Sequence, residues 1–384
     1  MLNPSPPRLR SRNLELDFLR GVAILMVVDF HSPNQLLFTP FRALGFPHFG
    51  WAGVDLFFVL SGFLIGGLLM QEWKTRGRVE ISRFLVRRCF KIMPQYYFYL
   101  VVVLITGHRR VHDLLGNLIH IQNYTNGIPH TWSLAVEEHA YLFLALLLTV
   151  AVAFRIPARG LFAFLLALVL ALHALRLLLA IRGYPVYYVT HTRIDGILSG
   201  ILLAMILNFE PALFTRLLGL KPLWFSLLAV ALAFLRFQPR QNWANAVAFD
   251  AANLLGISLL MLLYGHRPAR HTLARAYGAV AWIGIYSYGI YLWHVGLLAP
   301  LARVALRLPP PAAYLWNSLM PLLTAVAFGA LMTTLIEFPM LRLRERWFPR
   351  SGPPTRRKGR ELDPQPPQEV HPGNLQEMVP HSLS

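Results

Sequence analysis

Residues 17–31, DFLRGVAILMVVDFH, set two acids, an arginine and a histidine into a run otherwise apolar enough to enter a bilayer. On a helix turning about 100° per residue, the steps from Arg20 to His31 return both side chains to one face, roughly 16 Å apart along the axis. A guanidinium near mid-span costs on the order of 2.5–3.5 kcal/mol to insert, so it is kept where it meets a partner or a polar cavity. Two readings are open. In one, Asp17 pairs with Arg20 at a membrane interface and His31 is a satisfied interfacial histidine. In the other, the three form part of a functional site, with His31 suited to accept a proton near neutral pH.

Other segments offer chemistry of the same kind. In HTWSLAVEEHAYLF, Ser133, Glu137 and Tyr141 recur every four residues and form one polar stripe, with Trp132 beside it and Glu138 about 100° away. Asp55 is an acid near one end of an apolar span, open to structural pairing or to function. Phe84-x-x-Arg87-Arg88 precedes an aromatic span, and an arginine pair presents donors that match phosphate oxygens. Arg193 and Asp195 lie two apart, on different helix faces, which favours bridges to other spans over a pair with each other. His294, in SYGIYLWH, reads as a core histidine bonded to a carbonyl. His108, His112, His120 and His130 lack the spacing of metal ligands on a helix, so no metal site is expected.

These residues need a scaffold that holds them inside lipid. The 384-residue chain is 55% hydrophobic and 14% charged, with mean hydropathy +0.48, which places it among all-α polytopic membrane proteins. About ten transmembrane helices are expected, near 14–31, 52–70, 92–106, 132–153, 160–180, 193–209, 222–237, 246–264, 280–299 and 314–336. With an N-terminus inside, Lys and Arg number 25 in the inner segments and 8 in the outer ones. That bias predicts cytoplasmic N- and C-termini. Residues 1–13 read as a cytoplasmic lead, 14–340 as the membrane domain and 341–384 as a basic, Pro-rich disordered tail. The +18 net charge falls mostly on one membrane face, where lipid or a polyanionic cofactor would meet it, so no nucleic-acid partner is expected. The single cysteine, Cys89, allows no internal disulfide.

Together these motifs resemble the acyltransferase-3 family of integral membrane acyltransferases, a bacterial group that acylates exported or surface glycans. The resemblance rests on Arg20-x10-His31, GVDLFFVLSGFLI, Phe84-x-x-Arg87-Arg88, WSLxxE from Trp132 to Glu137, RIDGILSGILLA and SYGIYLWH, in family order across roughly residues 14–340. It implies that His31 and Glu137 are catalytic. It also implies that Arg20, Arg87 and Arg88 lie on the acyl-donor side, while Asp55, Trp132, Ser133, Tyr141, Arg193 and Asp195 are further candidates for donor or substrate binding. Lys91 stands where an arginine is common, His139 where glutamine is frequent, and Asp29 is an added acid in the first span. No hydrolase-like domain is seen after the last span, so the transferase core alone is expected.

The resemblance further implies an O-acyltransferase of the bacterial cytoplasmic membrane, moving an acyl group, commonly acetyl, from cytosolic acyl-CoA to a carbohydrate or glycolipid hydroxyl. His31 would be base or acyl relay, with Glu137 or Asp55 orienting its ring and the thioester reaching it through the bundle. Oligomeric state is not legible. A transporter or flippase using Arg20, Asp17 and His31 as an ion relay is the rival, although no paired half-sequences are seen.

Overall fold

A computed structural model describes residues 13–43, 49–107, 109–236, 242–266 and 271–348. Residues 1–12, His108 and residues 349–384 lie outside it, and with them most of the expected lead and tail. In lipid every backbone group must find its partner within the chain, which long apolar runs do as helices. All regular structure among the described residues is helical. In chain order the longer helices are α1 (Leu14–His31), α2 (Ala52–Arg76), α3 (Ile81–Ile105), α4 (Trp132–Ala153), α5 (Ala158–Ile181), α6 (Asp195–Phe209), α7 (Pro211–Gly219), α8 (Lys221–Arg236), α9 (Asn242–Leu263), α10 (His271–Ile285), α11 (Ser287–Ala305), α12 (Pro310–Met332) and α13 (Phe338–Trp347).

The protein is a multi-pass membrane protein. Among the described residues, α2, α3, α4, α5, α9 and the run from α12 through α13 are long and apolar enough to cross a bilayer. The pair α6 and α7, bent by 115°, brings the count to seven if it forms one span. Three further segments of the expected ten fall short for visible reasons. Helix α1 carries Glu15, Asp17, Arg20 and Asp29, α8 has only 16 residues, and 280–299 is divided at Tyr286. The basic stretch expected as a loop over 71–91 is helical except at residues 77–80, since α2 continues to Arg76 and α3 begins at Ile81. Between α12 and α13, residues Thr333–Glu337 form a π-helical turn.

Helix α2 sits at the centre, against α1, α6 and α9, while α11 packs on α12 and α1 on α10. The α2–α6 contact is backbone to backbone. A Cβ on Gly62 would land on the carbonyl oxygen of Ile197, and one on Gly200 would land on that of Val59. Small residues allow this approach in membranes, where van der Waals packing must do what hydrophobic burial does in water.

This contact gives a direct test. Gly200→Ala should cost about 1–3 kcal/mol through overpacking and lower the unfolding temperature in detergent. Gly67→Ala, on the same helix as Gly62 and facing open space, should leave it unchanged.

Candidate active site

Helices α1, α4 and α11 converge on a small cavity of about 70 Å³. Its polar lining is Arg20 from α1, Ser133 and Glu137 from α4, and Ser287, Tyr288 and Tyr291 from α11, and Val54, Phe57 and Phe58 of α2 form part of the apolar wall. Arg20 Nη2 donates to Ser287 Oγ at 3.1 Å. The stripe read from the sequence lies along this wall. Tyr141 Oη donates to Glu137 Oε2 at 3.4 Å and bonds Ser61 Oγ at 3.0 Å, and Ser133 Oγ meets Tyr291 Oη at 2.6 Å.

From Tyr291 the polar line continues to His31. The Tyr291 hydroxyl donates to the His130 carbonyl at 2.5 Å, and the Tyr291 carbonyl accepts from His294 Nδ1 at 2.7 Å. His294 Nε2 lies 3.4 Å from His31 Nδ1, which itself donates to the Val27 carbonyl at 2.9 Å. His31 is the last residue of α1 and is exposed there, with its Nδ1 contacts partly buried. Its contacts here are therefore a carbonyl and a second imidazole, whereas a carboxylate was expected. The cavity stops at Tyr291, short of His31.

In the other direction the line runs from Glu137 and Tyr141 to Arg88, whose guanidinium stands 5.7 Å from the ring centres of both Phe84 and Tyr141. No carboxylate among the described residues lies within ion-pair distance of Arg88. Its donors remain available to an anion. Arg87, by contrast, is engaged: its Nη2 donates to Glu345 Oε1 of α13 at 2.6 Å, and its Nη1 bonds the Phe348 carbonyl. Lys91 Nζ is 3.9 Å from Glu337 Oε1, so this end of the bundle gathers Arg88, Lys91 and Arg344 around the mouth of α3.

Asp55, Arg193 and Asp195 lie in the core. Arg193 Nη2 donates to both Asp55 oxygens, at 2.9 and 3.0 Å, and its guanidinium stacks 3.7 Å from the Phe249 ring centre, with Trp132 and Tyr187 closing the box. Asp195 takes Arg176 Nη1 at 2.8 Å and Asn253 Nδ2 at 2.7 Å. Thus Arg193 and Asp195 bridge to other helices, as their spacing suggests, and Asp55 spends its charge on Arg193, away from His31. His173, Asp195 and Asp250 hold donor atoms within 4.8 Å of one another. The Arg176 guanidinium already bonds both carboxylates there. Of the histidines in the 107–131 segment, His120 is buried against Tyr96, and burial pushes its pKa down to about 4, keeping it neutral.

Sequence reading missed the part of α11 in this site. Ser287, Tyr288, Tyr291 and His294 recur at helical spacing in SYGIYLWH, a polar face that a stripe analysis of that segment would have found.

The buried pair can be tested by a mutant cycle. Asp55→Ala should destabilise the protein by about 3–5 kcal/mol, since it strands a buried cation. Combining it with Arg193→Met should cost less than the sum of the two single changes, read by thermal unfolding in detergent.

Comparison with known proteins gives a consistent picture. Residues 13–341 match a family described as an acyltransferase domain. The chain is similar to the peptidoglycan O-acetyltransferase OatA of Listeria monocytogenes, 26% identical over 364 residues, covering 85% of this chain and 55% of that protein. It is similar to YrhL of Bacillus subtilis, provisionally named a peptidoglycan O-acetyltransferase, at 26% over 383 residues, with coverages of 87% and 56%. A provisionally named O-acetyltransferase of Staphylococcus aureus strain COL is 26% identical over 320 residues, with coverages of 74% and 50%. The chain thus spans about half the length of the curated relatives it matches. No solved structure matches it.

Proposed function

Because the chain belongs to the acyltransferase-3 family, we propose that it transfers an acetyl group from acetyl-CoA to a hydroxyl of an exported or surface carbohydrate. The observation that carries this reading is the polar line from the unpaired Arg88 through Arg20, Glu137 and Tyr291 to His31. It joins an anion-ready end of the bundle to an exposed imidazole at another. The basic bias of the sequence supports a cytosolic Arg88 end, where acetyl-CoA is supplied, and the bacterial cytoplasmic membrane is the location this reading takes.

In this reading Arg88, with Lys91 and Arg20 nearby, holds donor phosphates, and Arg87 joins them when Glu345 releases it. The cavity has room for roughly five waters, which suits a two-carbon acyl group. The acyl end must pass Tyr291 to reach His31. The carbohydrate hydroxyl approaches from the exposed side of His31, and carbohydrate acceptors accord with the names of the relatives.

The chemistry then balances on one imidazole. With Nδ1–H committed to the Val27 carbonyl, His31 Nε2 carries the free lone pair. It takes the proton from the acceptor hydroxyl as the oxygen attacks the thioester carbonyl. The C–S bond breaks, and the proton passes from His31 to the departing sulfur, giving an ester and a free thiol. The same lone pair could instead take the acyl group and pass it on, an acyl-histidine relay. A positioned base of this kind contributes about 10²–10⁴ in rate.

Two variants test the reading with labelled acetyl-CoA, carbohydrate acceptor and membranes of matched expression. His31→Ala should abolish label transfer; transfer at the wild-type rate would overturn the proposal. Arg88→Ala should raise the donor KM about 10–100-fold, the effect of losing a charged hydrogen bond worth about 1.5–3 kcal/mol.

A further inference from the structure

Two histidines from distant parts of the chain meet end to end, and their carbonyl contacts fix how each is protonated. A carbonyl oxygen can only accept. His31 Nδ1, 2.9 Å from the Val27 carbonyl oxygen, therefore carries its hydrogen. By the same logic His294 Nδ1, 2.7 Å from the Tyr291 carbonyl oxygen, carries its own. A neutral His294 is left with a bare Nε2, and that atom lies 3.4 Å from the N–H of His31. The rings stand nearly edge to face, with centres 5.0 Å apart and planes at 71°.

We propose that His294 is the positioning residue for His31, its Nε2 accepting from His31 Nδ1–H and so keeping His31 Nε2 bare and aimed at the reacting groups. The inference rests on the reading of His31 as the base or acyl relay. His294 takes the place that a carboxylate fills in many catalytic dyads, but as a neutral acceptor. The His31 N–H is shared between the Val27 carbonyl and His294, which accounts for the longer of the two distances. When His31 gains a proton at Nε2, its Nδ1–H becomes a stronger donor and both acceptors draw closer.

The surroundings suit this task. His294 is 2% exposed, and its ring is flanked by His130, 5.6 Å between centres, and by Tyr291 at 5.7 Å. His130 is itself tied down, with Nε2 donating to the Leu292 carbonyl at 3.1 Å. A second proton on His294 Nε2 would set two N–H donors against each other across the pair. The dyad therefore holds one added proton at a time, and His31 Nε2 is where it enters.

Two amides of different reach separate positioning from bulk. In His294→Gln the side-chain carbonyl stands near the position of Nε2 and can accept from His31. In His294→Asn the amide stands near Nδ1, keeps the bond to the Tyr291 carbonyl and falls short of His31. Steady-state acetyl transfer in matched membranes should show kcat of His294→Asn and His294→Leu down about 10²-fold with donor KM within about twofold. His294→Gln should recover at least about tenfold over Asn. Equal loss in Gln and Asn, or wild-type kcat in Leu, alongside an inactive His31→Ala, would overturn the positioning role and leave the base intact. An active His31→Ala would instead overturn the reading on which it rests.

Discussion

A charge carried into a helical bundle within lipid must meet a partner or a polar cavity, and the Asp55–Arg193 pair is where that constraint binds hardest. Both side chains are almost wholly removed from solvent, and their pairing clamps α2 to the start of α6. The glycines at 62 and 200 let those helices touch, and the ion pair fixes their register. The guanidinium also lies over Trp132, the first residue of α4. Trp132 thus meets the ion pair while Ser133 and Glu137 of the same helix face the cavity. Arg176, bonded to Asp195 and Asp250, extends the clamp to α5 and α9.

Against this fixed side, α1 and α11 carry the histidines. Arg20 reaches Ser287 at the start of α11, and His31 reaches His294 two turns later, so the two helices are tied at both ends of the same face. The cavity lies between these ties. Its closure at Tyr291, whose hydroxyl is held by Ser133 and the His130 carbonyl, makes that ring the element separating the cavity from the His31–His294 pair. At the far end, α13 fastens on α3 through Glu345 and Arg87 and through Phe90 against Trp347 and Phe348. A donor using Arg87 would have to compete with that contact.

How much of this was legible depended on range. The shared face of Arg20 and His31 and the Ser133–Glu137–Tyr141 stripe follow from helical periodicity, which local sequence contains, and both line up as expected. Partners across the bundle do not follow from it. Nothing near Asp55 points to Arg193, 138 residues away, and nothing near His31 points to His294, 263 residues away. Sequence therefore suggested a carboxylate for His31 where the fold supplies an imidazole. His294 was legible as a carbonyl-bonded core histidine, which it is, while its second nitrogen was not. Two of the helices that carry site residues fall short of a length and hydropathy criterion, α1 because of its charges and α11 because of the break at Tyr286.

The central claim is that the donor enters at Arg88 and brings its acyl group within reach of the free nitrogen of His31. The most direct measurement is an experimental structure of the protein bound to a non-hydrolysable acetyl-CoA analogue. It should show the analogue's phosphates on the Arg88 guanidinium, and the carbonyl carbon that replaces the thioester within about 3–3.5 Å of a group that His31 Nε2 can reach. Phosphates bound at the His31 end, or an acyl group lodged away from His31 with Tyr291 closed between them, would contradict the account.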